Sequence, residues 1–278
     1  MTYLVTVEPF LVNALSALFD DGLPAPKPGE PLPPYWHLAA CATPAATQVL
    51  GVDGHPRTGV VTPPEDMPRR MFAGGSLRVE QPLLVGERLE HGAMVADTTN
   101  KIGRSGPLRF VTVVHSLKRD NGTVAQIDRQ RIVYRAANGV MASESMPRPP
   151  HVRRERLLTF GPGALRGTLC ADPVALQRFS AVTSNAHRIH YDHPYATTVE
   201  GYPDLVVHGP LVLLSLLELL RLDYPSRRVT DVDFTASAPV FCGDEVTLTG
   251  TPDGDTVTLE AQVGGHVAMK AIARLAPV

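Results

Sequence analysis

Apolar and polar residues alternate one by one along much of the chain, and three stretches replace that rhythm with a 3.6-residue period. A period of two marks a strand with one buried face, and the longer period marks an amphipathic helix. Alternation, as in Phe110-Val111-Thr112-Val113-Val114 or Val257-Thr258-Leu259-Glu260-Ala261, predicts strands over 87–98, 108–118 and 123–135, then again over 244–250, 255–263 and 266–275. Asp120-Asn121-Gly122 and Asp253-Gly254-Asp255 supply hairpin turns between them. Helical periodicity covers Pro9–Phe19, Pro173–Val182 and Gly209–Leu222. The apolar run Leu211–Leu217 within the last is continued by Glu218 and Arg221, so it reads as a helix buried on nearly all sides. It is too short for a bilayer, which needs about 20 residues.

The pattern is also repeated. Leu77–Leu89 lies on Phe234–Val246 with Pro82 and Pro239, Gly86 and Gly243, and Glu87 and Asp244 at identical spacing, and each copy precedes three alternating segments. Each half therefore combines helix with an antiparallel meander. A lone unit of this kind leaves an open strand edge, so two copies in one chain can pair edge to edge. The stretch 141–156, with Pro147, Pro149 and Pro150 among charges, reads as a linker. The expected organisation is an N-terminal unit over 1–145, a linker over 146–156 and a C-terminal unit over 157–278. Pro24–Pro34 reads as an ordered loop feeding a short central helix of the first half, with Trp36 as core or channel wall. Gly74-Gly75 marks the start of a bent strand.

Charge narrows the function classes. Lys and Arg (26) nearly balance Asp and Glu (28), so bulk charge suggests neither a nucleic-acid surface nor a polybasic membrane patch. Cys41, Cys170 and Cys242 are far apart and lack metal-ligand spacing, which favours free thiols and a cytoplasmic location. The N-terminus, with Glu8 and no basic flank, does not read as a signal peptide.

The densest chemistry lies in Asn185-Ala186-His187-Arg188-Ile189-His190-Tyr191-Asp192, followed by His208-Gly209-Pro210 at the head of the apolar run. A loop carrying an amide and an imidazole five positions apart can aim both at one water molecule. A helix beginning at Gly209 offers an unpaired N–H to a carbonyl oxygen that gains charge, and the missing side chain lets a substrate approach. His190 would take or return the proton of water, since an imidazole near neutrality serves both directions. Asn185 is no base but can hold the water or a substrate hydroxyl. Asp192 is a candidate helper in proton transfer, and His208 is expected to fix the loop before the helix. His187, His193, His208 and Asp192 raise the local density of metal-ligand types, but without recognised ligand spacing no metal is expected.

Thr183 to His190, with the downstream His-Gly step, resembles the hydratase-2 motif of the MaoC-like hot-dog dehydratases, with Asn185 where that family carries aspartate. Wider similarity, in Arg70-Met71-Phe72-Ala73-Gly74-Gly75, Gly103-Arg104-Ser105-Gly106-Pro107 and Glu200-Gly201-Tyr202-Pro203, points to a branch with two hot-dog units per chain. That branch resembles mesaconyl-C4-CoA and itaconyl-CoA hydratases and type 2 3-hydroxyacyl-thioester dehydratases. The resemblance implies an α+β double hot-dog, two curved antiparallel sheets each wrapped around a central helix; the first half has no Asn-x-x-x-x-His in register with the second, so that unit is expected to be non-catalytic. The resemblance further implies a hydro-lyase needing no cofactor besides the CoA thioester substrate, acting on a short branched dicarboxylic enoyl-CoA to give citramalyl-CoA, as in itaconate degradation. His190, Asn185 and Gly209 would be catalytic, and Arg104, Arg188, Tyr191, Asp192 and His208 would bind substrate, with Arg104 or Arg188 pairing an anion. A fatty 3-hydroxyacyl-CoA or acyl-carrier-protein dehydratase is the rival enzyme, and a non-catalytic acyl-CoA-binding protein is the rival from another class. A homodimer of such chains is left open.

Overall fold

The computed structural model describes residues 1–103, 106–136, 151–152, 154–161, 163 and 165–277. Its strands are β1 (Thr2–Thr6), β2 (Arg69–Val79), β3 (Arg88–Gly103), β4 (Gly106–Lys118), β5 (Val124–Arg135), β6 (Leu158–Gly161), β7 (Arg166–Leu169), β8 (Arg227–Ala236), β9 (Val246–Asp253), β10 (Thr256–Val263) and β11 (His266–Pro277). The helices are α1 (Pro9–Phe19), α2 (His37–Ala40), α3 (Pro173–Val182) and α4 (Gly209–Asp223). The strands form one eleven-stranded sheet in the order β1-β3-β4-β5-β2-β8-β11-β10-β9-β7-β6.

The alternating segments become β3–β5 and β9–β11, and the expected turns close on Gly122 (φ 82°) and Gly254 (φ 58°), conformations that glycine adopts without strain. Edge-to-edge joining takes place between β2 and β8, with Gly74 opposite Thr235 and Arg78 opposite Asp231. In the repeat, Ser76 corresponds to Asp233, and these two residues face each other across the seam. The internal repeat is therefore a pseudo-two-fold relation about this pair. Beside it β2 bulges between Phe72 and Gly74, which gives the bend expected of the Gly-Gly step.

The two central helices are unequal. Residues Leu211–Leu220 of α4 are all buried, whereas its counterpart in the first half, α2, is a single turn. Pro33 and Pro34 upstream and Pro44 downstream confine that turn, because proline cannot continue a helix and pushes the residue before it to extended geometry. Trp36 resolves as core: it is fully buried, and its Nε1–H donates to Glu218 of α4 at 2.8 Å. Arg221 completes the cluster by pairing with Glu218 (2.8 Å) and Asp21 (3.1 Å), which ties the first half to α4. β1, β6 and β7 are additions at the sheet margins that no alternation predicted.

Of the expected linker 146–156, residues 146–150 and 153 lie outside the described residues. Two of the others are tied to the second half: His151 Nε2 is 2.8 Å from Asp204 Oδ1, and the Arg154 N–H donates to Asp172.

Candidate active site

A cavity of about 980 Å³ opens between the halves, and His190, Asn185 and Gly209 all line it. Its first wall comes from the loop after α3. Asp172 caps α3 by accepting the Ala175 N–H at 2.8 Å, and the helix gives way to a turn with Ser184 at φ 51°. Asn185 then closes a local turn, its Oδ1 accepting the His187 N–H at 3.1 Å while its own N–H donates to Ser180. With Oδ1 engaged, Asn185 offers the cavity its Nδ2 hydrogens. It is placed to donate to an oxygen rather than to remove a proton.

His190 ends a short 3₁₀ turn, Arg188–His190, and is almost wholly buried. Its Nδ1 lies 2.7 Å from the Val206 carbonyl, which can only accept, so Nδ1 carries the hydrogen and Nε2 keeps a lone pair. Burial pushes the imidazole down to about 4, with the Val206 bond opposing and the positive charge of Arg70 assisting. The side chain is thus a neutral acceptor of fixed tautomer at physiological pH.

His208 stacks on His190 with ring centroids 3.6 Å apart, and Ser180 Oγ sits 2.9 Å from its Nε2. It braces the imidazole from behind. Burial holds His208 well below the usual histidine range, so the stacked rings do not both carry charge.

At the head of α4, Leu211 and Val212 both donate to the His208 carbonyl, and Pro210 has no N–H. Among the described residues the Gly209 N–H has no backbone acceptor, so it is the free donor of this first turn. A Cβ at Gly209 would lie 2.6 Å from the Phe72 ring, so the close approach requires glycine.

The remaining expected residues separate. Tyr191 lines the cavity, but its hydroxyl donates to the Ala186 carbonyl at 2.9 Å. Arg188 is consumed locally: Nε and Nη2 donate to Asp192 at 2.9 and 2.8 Å, Nη1 donates to the Val52 carbonyl at 3.0 Å, and the guanidinium lies over the Tyr195 ring. Neither Arg188 nor Asp192 is on the cavity wall, because each satisfies the other and Asp192 also accepts the Tyr195 N–H. Arg104 lies outside the described residues.

Sequence reasoning missed the contribution of the first half. The turn Asp53-Gly54-His55 packs directly on the Asn185–Asp192 loop, with the Arg188 N–H donating to the Asp53 carbonyl at 2.8 Å. Gly54, at φ 89°, is so close to Ala186 that a Cβ would fall 1.8 Å from its carbonyl oxygen. This contact brings His55 to 4.3 Å from His187, ring to ring, and both line the cavity with Arg70. Burial, followed for His55 by the Arg70 charge and for His187 by His190, keeps both imidazoles well below the usual range. Asp53, His55 and His187 bring metal-ligand atom types within 4.8 Å of one another, though the adjacent guanidinium opposes a cation there. The only signal for Arg70 in the sequence was its place in the Arg-Met-Phe-Ala-Gly-Gly stretch.

Fold and site together define an acyl-thioester hydratase or dehydratase of the double hot-dog kind, and the chain belongs to the hydroxyacyl-thioester dehydratase type 2 family, whose pattern matches residues 35–242. It is 40% identical over 263 residues to the mesaconyl-C(4)-CoA hydratase of Chloroflexus aurantiacus, covering 94% of this chain and 90% of that protein. Among solved structures, HtdX of Mycobacterium tuberculosis aligns with a TM-score of 0.68 at 18% identity over 98% of both chains. A conserved hypothetical protein of the same organism, described as a double hotdog fold, gives 0.58 at 13% identity over 99% of this chain and 96% of that one. At these identities the two structures speak for the fold.

Proposed function

We propose that this chain is a cofactor-free hydro-lyase that reversibly hydrates a short branched dicarboxylic enoyl-CoA, the mesaconyl-C4-CoA and itaconyl-CoA class, to citramalyl-CoA. The observation that carries the chemistry is the buried, neutral His190 with its acceptor nitrogen free, in one cavity with Asn185 and the free N–H of Gly209. Asn185 Nδ2 holds the water and His190 Nε2 takes its proton as the oxygen bonds to the β-carbon. The electron pair of the double bond moves onto the thioester oxygen, where the Gly209 N–H receives the developing charge. His190 then returns the proton to the α-carbon, completing the addition of one water. The substrate class is supported by the 40% identity to the Chloroflexus enzyme. Mesaconyl-C4-CoA is the direct substrate, since its double bond is conjugated to the thioester; itaconyl-CoA needs isomerisation first. A role in itaconate degradation and a reducing cytoplasmic setting fit this reading, the latter through the three free cysteines.

The test is a panel of mesaconyl-C4-CoA, itaconyl-CoA, crotonyl-CoA and longer enoyl-CoAs, followed by loss of the conjugated-thioester absorbance. Mesaconyl-C4-CoA should give the highest kcat/KM. Higher values for long enoyl-CoAs would instead establish a fatty 3-hydroxyacyl-thioester dehydratase. That second reading has its own support, because the cavity is at the upper end of the usual range of about 300–1,000 Å³ and has apolar walls at Leu38, Leu50, Leu108 and Phe110.

A further inference from the structure

We propose that Arg70 binds the free carboxylate of the substrate and thereby sets the preference for a dicarboxylic over a monocarboxylic enoyl thioester. The inference rests on the dicarboxylate reading above and adds the residue that enforces it.

The cavity wall carries two arginines, Arg70 and Arg135, and no aspartate or glutamate among the described residues. Such a wall favours an anionic occupant. Arg135 is buried, hydrogen-bonded to Tyr202 and faces Glu200; its Nε has no hydrogen-bond partner among the described residues, but it is not among the charges that act on His55, His187 or His190. Arg70 bonds the neutral Tyr134 hydroxyl, forms no ion pair within 4 Å among the described residues and, unlike Arg135, is a charge that acts on His55, His187 and His190. Asp53 is a carboxylate that compensates it from beyond ion-pair distance, and one of its oxygens already accepts the His55 N–H at 3.1 Å. A guanidinium in a desolvated pocket without a carboxylate partner is costly, and a planar anion that meets it with two parallel bonds relieves that cost.

Position selects which anion. In a mesaconyl-C4 thioester the free carboxylate is attached to the β-carbon, the atom that water attacks. A cation that reads it must therefore border the imidazole that handles the water. Arg70 shares its wall with His55, His187 and His190 and acts electrostatically on all three. The phosphates of CoA, at the far end of the pantetheine arm, belong outside the cavity. Arg188, the other cation near the loop, is fully engaged by Asp192 and Val52.

The experiment is a cycle of protein and substrate changes: wild type, Arg70→Met and Arg70→Lys, each with mesaconyl-C4-CoA, its carboxylate methyl ester and crotonyl-CoA. Arg70→Met should lower kcat/KM for mesaconyl-C4-CoA by about 10²-fold or more, mainly through KM, and this loss should exceed the loss with crotonyl-CoA by at least tenfold. Esterification should cost wild type a similar factor and cost Arg70→Met almost nothing further, while Arg70→Lys should retain part of the preference. Equal losses with mesaconyl-C4-CoA and crotonyl-CoA, or an ester penalty unchanged in the variant, overturn the inference while leaving the hydratase reading intact. If wild type turns over crotonyl-CoA but not mesaconyl-C4-CoA, the dicarboxylate reading itself fails. Should Arg70→Met not fold, the same comparison is made with Arg70→Lys, whose ester penalty must then fall below that of wild type.

Discussion

A hydratase whose base is an ordinary surface histidine loses activity below about pH 6.5, and the burial of His190 predicts that this enzyme does not. With the imidazole held down to about 4, the base stays neutral well into the acid range. From these values, about 97% of His190 is neutral at pH 5.5, against roughly 9% for a histidine of ordinary pKa. The kcat/KM for hydration should therefore be flat between pH 8 and pH 5.5, whereas an exposed base predicts a fall of roughly tenfold. The same shift has a stability sign. Because the folded-state value lies below the unfolded value of about 6.5, stability is full above that pH and is lost as pH falls towards 4. Rates should accordingly be read only where circular dichroism shows a native spectrum. His190→Ala should lower the plateau by about 10²-fold or more at every pH in this window. An acid limb centred near 6.5 in folded wild-type protein, or an alanine variant within threefold of wild type, would refute a buried His190 base.

Two further substitutions probe the partners of His190. Asn185→Ala should lower turnover by leaving the water poorly held, whereas Asn185→Asp should keep part of it, since one carboxylate oxygen can accept the His187 N–H while the other faces the cavity; an alanine variant as fast as wild type would reduce Asn185 to a loop-shaping residue. Gly209→Ala places a Cβ against the Phe72 ring where the thioester must approach, so kcat/KM should fall by at least tenfold while the melting temperature moves by only a few degrees; unchanged kcat/KM would show that the reacting carbonyl lies elsewhere.

Much of this architecture could be read from local pattern because the chain punctuates itself. Pro9, Pro173 and Pro210 stand at the first turns of α1, α3 and α4, where a proline starts a helix without breaking it, and glycine turns bound the long strands. β1, β6 and β7 were not legible: at four or five residues, on the margins of the sheet, they are too short to establish a period. The site divides along the same line. His190, Asn185 and Gly209 lie within 25 residues of one another in one loop-helix segment, so their spacing carries the chemistry. Arg70 and His55 reach the same cavity through a packing contact between Gly54 and Ala186, 132 positions apart, and no local periodicity encodes such a meeting. Of the two expected anion anchors, Arg104 lies outside the described residues, and the charge of Arg188 is captured by the i,i+4 carboxylate of Asp192.

The seam between β2 and β8 gives the protein a freedom that a symmetric pair of identical subunits lacks. When two copies of one gene product form such a sheet, every substitution is made twice, and a change that reshapes the pocket also alters the reacting loop. Here the residues proposed to handle water belong to the second half, while Arg70, Phe72 and Phe110 belong to the first. Variation in the first half at positions away from Arg70 and the Asp53–His55 turn, such as Phe72 and Phe110, can therefore retune which acyl group is accepted without replacing any residue of the Asn185–His190 loop. That asymmetry makes the first half the natural place to look, in nature or in a directed library, for changes of substrate.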